Sequence, residues 1–172
     1  MKRLPAAMSF LSVLIVLAGC ASAPRAPVTA SGAAIQIMIL SSRGNPEEMT
    51  EKQWGWRNEV GGWMEPDLVR QLTRSGYSAT LIGSRDDFEP AGDRYLLSVA
   101  ITSYNPGSSA ARIFVGYGAG ACSLDIHYEL YGAEPEPIMA WDDGVGTSAN
   151  WQKLPRKLNI NTVKRITVKL SE

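Results

Sequence analysis

The chain has little of what most catalytic sites are built from: one histidine, His127, and two cysteines, Cys20 and Cys122. A lone imidazole and a lone thiol in the body of the chain supply no nucleophile–base pair of the kind acyl transfer uses, so no catalytic residue is assigned. Charge of one sign is lacking too, with 17 Lys and Arg against 17 Asp and Glu. No basic stripe stands out in such a balance, which argues against a nucleic-acid partner. Beyond the first twenty residues no apolar run is long enough to cross a bilayer, and no internal repeat is visible.

The N-terminus is what the sequence does carry. Lys2 and Arg3 precede an apolar run from Phe10 to Leu17, and Leu17-Ala18-Gly19-Cys20 follows. Charge, a short apolar core and a small-residue cleavage site, in that order, make a signal peptide over residues 1–19 rather than a membrane-spanning helix. Leu-Ala-Gly-Cys resembles the lipobox of bacterial lipoproteins, which implies cleavage after Gly19 and diacylglycerol on the thiol of Cys20. The expectation is therefore a membrane partner through a covalent lipid anchor, with several acyl chains to make attachment stable, and no other cofactor. Ala21, where aspartate would resemble an inner-membrane retention signal, favours the outer membrane with the domain in the periplasm. Without Lys2 and Arg3 the chain has 15 basic against 17 acidic residues. With Cys20 engaged, Cys122 has no disulfide partner within the chain and reads as a small buried apolar residue. Ala21 to Ala34, rich in Ala, Ser and Pro, reads with Cys20 as a flexible tether over residues 20–34, reaching at most roughly 45 Å.

Residues 35–172 are enough for one domain with one core. Ile35 to Leu40 is apolar on both faces and predicts a central strand. Pro66-Asp67 marks the start of a helix carrying Leu68, Val69 and Leu72 and ending at Gly76; Gly61-Gly62 weakens any extension back to Trp56. Residues 77–82 and 94–104 are further strands. The strictest alternation is Cys122, Leu124, Ile126, Tyr128 and Leu130 against Ser123, Asp125, His127, Glu129 and Tyr131, which predicts one buried and one wet face in an antiparallel sheet. Ile138 to Trp141 pairs with it, and Asp142-Asp143-Gly144 reads as a turn. The tail fits both a helical and a strand period, with the helix favoured. The expected fold is α+β: a mostly antiparallel sheet of about five strands, with one or two helices packed on one face.

Arg112 to Gly120 (RIFVGYGAG) is the most distinctive stretch. A phosphate loop needs a helix behind the glycines and, for nucleoside triphosphates, a lysine; here a strand follows and no lysine is present. The glycines fit better as a backbone device, a bulge or tight connection needing positive φ. Arg112, Gly116, Tyr117, Gly118, Ala119 and Gly120, ahead of an alternating strand, resemble a family of bacterial lipoproteins, domain-of-unknown-function family four-four-one-zero, with Tyr117 where that pattern commonly has phenylalanine. The resemblance implies location and fold and brings no reaction with it.

Three groups remain as candidates. Asp125, His127 and Glu129 share a strand face and could hold Zn²⁺ for a hydrolase, but the wet face of an antiparallel sheet is the better account of them, and no metal is assigned. Trp54, Trp56 and Trp151 could present rings to a glycan or partner, whereas Trp63 and Trp141 suit the core. The function expected is a non-enzymatic binding or assembly module of the cell envelope whose partner is an envelope protein.

Overall fold

The computed structural model describes residues 25–29, 32–108 and 120–172. Five strands and two helices form the α+β fold: β1 (Gln36–Ser42), α1 (Glu51–Arg74), β2 (Ser78–Ile82), β3 (Arg94–Asn105), β4 (Cys122–Tyr131), β5 (Pro137–Thr147) and α2 (Lys153–Lys169). They make one sheet in the order β2-β1-β3-β4-β5. β1 runs parallel to both its neighbours, while β3–β4 and β4–β5 are antiparallel. The sheet is thus mixed rather than purely antiparallel, because α1 returns the chain to the starting end of β1 before β2 begins.

Alternation decides the layering. Ile37, Ile39, Leu97, Val99, Ile101, Leu124, Ile126, Tyr128 and Leu130 are buried on one face of the sheet. Val60, Met64, Leu68 and Leu72 of α1, and Leu154, Leu158, Val163 and Ile166 of α2, close over them. Each such side chain contributes about 1.5–3 kcal/mol by leaving water. The helices run side by side in the same direction: Trp63 meets Trp151, Asn159 reaches Met64 and Asp67, and the Tyr77 hydroxyl donates to Thr167 Oγ1 at 3.1 Å.

Several expectations need correction. α1 starts fifteen residues before Pro66, at Glu51, and is capped by Thr50, which forms a capping box with Gln53. Pro66 lies inside the helix, where it gives up one backbone donor. Gly61 has a packing role: the Arg43 side chain, paired to Glu65 at 2.8 Å, lies 2.6 Å from where a Cβ would stand. Asp142-Asp143-Gly144 is not a turn but the middle of β5, held in register opposite Asp125, Ile126 and His127. Tyr131, assigned to the wet face, is buried, because the connection between β2 and β3 crosses that side of the sheet and sets the Arg85 guanidinium 4.1 Å over its ring. Part of the stretch read as tether lies on the domain: the Ala26 N–H donates to Ser75 O at 2.7 Å, and Val28 bridges Ala34.

β3 carries a register shift between Ile101 and Ser103. The carbonyls it frees are taken by Arg57 of α1, whose guanidinium donates to Ile101 O and Thr102 O, each at 2.7 Å. A charged fork thereby ties helix to bulge.

Candidate functional site

The face of β4–β5 away from the helices collects the polar side chains. Register places Asp142 directly opposite His127, and Asp142 Oδ1 lies 2.8 Å from His127 Nδ1. On the other side of the ring, Nε2 is 3.7 Å from Glu129 Oε1. Glu129 in turn accepts from the Tyr131 hydroxyl at 2.9 Å, and Tyr131 carries Arg85 on its ring. A row of alternating sign thus runs from Asp142 to Arg85. It ends at an open groove of about 520 Å³ lined by Arg85, Phe88 and Pro90 of the crossing connection, by Tyr131 at the end of β4 and by Glu134 and Pro135 of the β4–β5 turn.

The hydrogen bond to Asp142 raises the His127 pKa above its ordinary value; burial opposes it, and the charges of Asp142 and Glu129 add to the rise. The hydrogen-bond partner of His127 among the described residues is a carboxylate, which favours the protonated ring over the neutral one. Asp125, grouped with His127 and Glu129 on sequence grounds, is not brought to the imidazole; its carboxylate lies over Gly144, whose missing side chain makes the room. Among the described residues no three His, Cys, Asp or Glu side chains converge as metal ligands would.

The tryptophans do not gather into one platform. Trp54 and Trp56 are half-buried on the first turns of α1, with Lys52 Nζ 4.9 Å above the Trp56 ring. Trp151 meets Trp63 edge-to-face at 6.4 Å, so both fill the seam between the helices. Trp141 stacks at 4.9 Å on Tyr128 against the core. Cys122 is buried, its Sγ donating to Pro106 O at 2.9 Å.

Of the glycine-rich stretch, Arg112, Gly116, Tyr117, Gly118 and Ala119 lie outside the described residues, as does Cys20. Gly120 is described and has φ +68°. It faces Gly107, φ +73°, and the Ser108 N–H donates to Gly120 O at 3.0 Å. A Cβ at either glycine would run into the opposite backbone, at Ser108 O or at Gly120 O. Glycine is required here for both conformation and space.

One feature escaped the sequence reading. α2 holds Lys153, Arg156, Lys157, Lys164, Arg165 and Lys169 and no acidic residue. The stripe was hidden because charge was balanced over the whole chain; counting by segment would have found it.

The family model for a domain of unknown function, DUF4410, matches residues 31–159. The chain belongs to DUF4410. No curated protein matches its sequence. Among solved structures, this DUF4410 chain is similar to the PelC dodecamer from Paraburkholderia phytofirmans, at 12% identity and a TM-score of 0.51 over 81% of this chain and 92% of that one. A minor lipoprotein from Acinetobacter baumannii matches more remotely, at 13% identity and a TM-score of 0.39 over 80% and 92%. The first likeness shows a shared fold. Among the described residues no helix is long and apolar enough to cross a membrane.

Proposed function

We propose that this DUF4410 protein is a lipid-anchored module of the bacterial envelope that works by binding and assembly rather than by catalysis. The observation that carries assembly is the sheet itself. Among the described residues its order leaves β2 and β5 at the edges without a further strand, and an edge as long as β5 is a ready template for another chain. β5 alternates half-buried and exposed residues along its whole length, with Ile138 39% exposed beside the polar row. The fold shared with a protein described as a dodecamer supports a second copy of this chain as the partner. The carboxylate surroundings of His127 favour recognition over proton transfer.

The anchor half rests on the N-terminus. Lys2-Arg3, the apolar run to Leu17 and Leu-Ala-Gly-Cys20 support export and acylation of Cys20, and Ala21 supports the outer membrane with the domain in the periplasm. Native mass spectrometry of the purified chain tests assembly. An oligomer is expected, shifted to monomer by Ile138→Arg with Ala140→Glu, two exposed changes the fold tolerates. A concentration-independent monomer would overturn self-assembly, and pull-down from the native envelope would then show whether a different envelope protein takes the edge. Metabolic labelling with palmitate tests the anchor: Cys20→Ser is expected to lose it, and undiminished labelling would refute that part.

A further inference from the structure

α2 divides sharply. Its inward residues are apolar or buried, whereas Lys153, Lys157, Ile160, Lys164 and Val168 follow one another down its exposed side. Six of the chain's 17 basic residues and none of its 17 acidic ones lie in this helix, so the rest of the chain is net acidic and the molecule has a cationic side. Of the six bases, only Lys169 has an ion-pair partner among the described residues, Glu172 at 2.8 Å. Apolar side chains stand among the cations: Val168 is 61% and Ile160 37% exposed. Near the C-terminal end, Met139, Lys164, Arg165 and Val168 line an open groove of about 320 Å³. Exposed bases interleaved with exposed apolar residues on one helix face suit a surface that is anionic outside and apolar beneath.

The path of the chain points the same way. The N-terminal segment joins the domain where the Ala26 N–H meets Ser75 O at the end of α1. Tyr77, two residues on, is hydrogen-bonded to Thr167 near the end of α2. The chain therefore enters beside the C-terminal turns of α2. The six steps of chain from Cys20 to Ala26 span at most about 20 Å, less than the roughly 25 Å length of α2 itself. A lipid on Cys20 would keep Lys164, Arg165 and Val168 close to the bilayer.

We infer that the outward face of α2 docks on the anionic phospholipid surface of the membrane that holds the chain, with Val168 at the headgroup boundary; this rests on the lipid-anchor reading above. The full lipidated chain, with Val168→Cys carrying an environment-sensitive fluorophore, is reconstituted on vesicles of phosphatidylcholine alone or mixed with phosphatidylglycerol. Flotation with both vesicle types reports the anchor. Docking is expected as a blue shift and protection from a soluble quencher on the phosphatidylglycerol vesicles only, reversed by about 0.5 M salt, where screening is within a few Å. Each base near such a surface is worth about fivefold in partition, so Lys157→Glu with Lys164→Glu and Arg165→Glu should weaken docking at least a hundredfold, with an unchanged circular dichroism spectrum. A fluorophore equally quenched on both vesicle types would overturn the inference while leaving the anchor intact. Failure to float on phosphatidylcholine would overturn the anchor, and salt-sensitive flotation on phosphatidylglycerol would still report docking. Binding of the same face to a soluble polyanion such as DNA, in preference to phosphatidylglycerol vesicles, would assign it to a different partner and refute the proposal.

Discussion

Replacing Asn159 by alanine tests how the two helices are held together. The Asn159 side chain is fully buried and donates through Nδ2 to Met64 O at 3.0 Å and to Asp67 Oδ2 at 2.9 Å. Asp67 is 1% exposed; its other oxygen is paired to Arg70 on the same helix. Alanine at position 159 would leave a buried carbonyl and a buried carboxylate oxygen without this donor. The first loss costs about 1 kcal/mol and the second about 2, so roughly 3 kcal/mol is expected. That is a large part of the 5–15 kcal/mol typical of a folded domain, and at about 2–4 °C per kcal/mol it lowers Tm by roughly 6–12 °C. Asn161→Ala is the control, since Asn161 only reaches the half-buried Asp143 at 3.3 Å and should cost under about 1 kcal/mol. Urea unfolding of both variants, and of Asp67→Ala alone and combined with Asn159→Ala, gives the coupling between Asn159 and Asp67, expected above about 1 kcal/mol. If Asn159→Ala costs no more than Asn161→Ala, the buried donor is not what joins α1 to α2.

Two further outcomes follow from the geometry. His127, the only histidine of the chain, should titrate above its ordinary 6.5 because it is hydrogen-bonded to Asp142. A raised pKa makes its contribution to stability complete below the unfolded value, and the contribution is lost as pH rises through the folded midpoint. An NMR titration checks this, and Asp142→Asn should lower the midpoint; a midpoint at or below 6.5 in the unmodified chain would contradict the pairing. Gly120→Ala should cost at least about 1 kcal/mol, since φ +68° and the nearby Ser108 carbonyl both oppose a Cβ, and an unchanged urea midpoint would show that the loop mouth can open freely.

Strict alternation made β4 legible in the sequence, down to which residues face the core. Of β5, Ile138 to Trp141 and its pairing with β4 were legible, but the second half was not, because Asp142, Asp143 and Gly144 have the chemistry of a turn; only the facing residues of β4 show why they stay extended, with Gly144 making room for Asp125 and Asp142 meeting His127. α1 was half legible. Pro66 looks like a helix start and Gly61-Gly62 speaks against a helix before it, and both signals are overridden by the Thr50 capping box and by the packing of Val60, Met64 and Leu68. The face bearing His127 and Glu129 was foreseen, but its partners Asp142 and Arg85 come from other elements and no spacing rule connects them. The covered Tyr131 shows the same limit, because the residue that buries it is brought there by a connection crossing the sheet.

The place of β1 has a consequence for the order in which the molecule can form. It is the first strand among the described residues and lies inside the sheet, where one neighbour begins at Ser78 and the other at Arg94. Both pairings are parallel and join residues distant in sequence, the kind of contact that forms slowly. A chain delivered N-terminus first therefore presents Ile37 and Ile39, which end with no exposed surface, well before either flank exists. The β3–β4–β5 meander, by contrast, can pair with little help from the rest. A chain cut short before Asn105 loses more than its later strands: it leaves an apolar ribbon with an open edge, the segment from which aggregation would start.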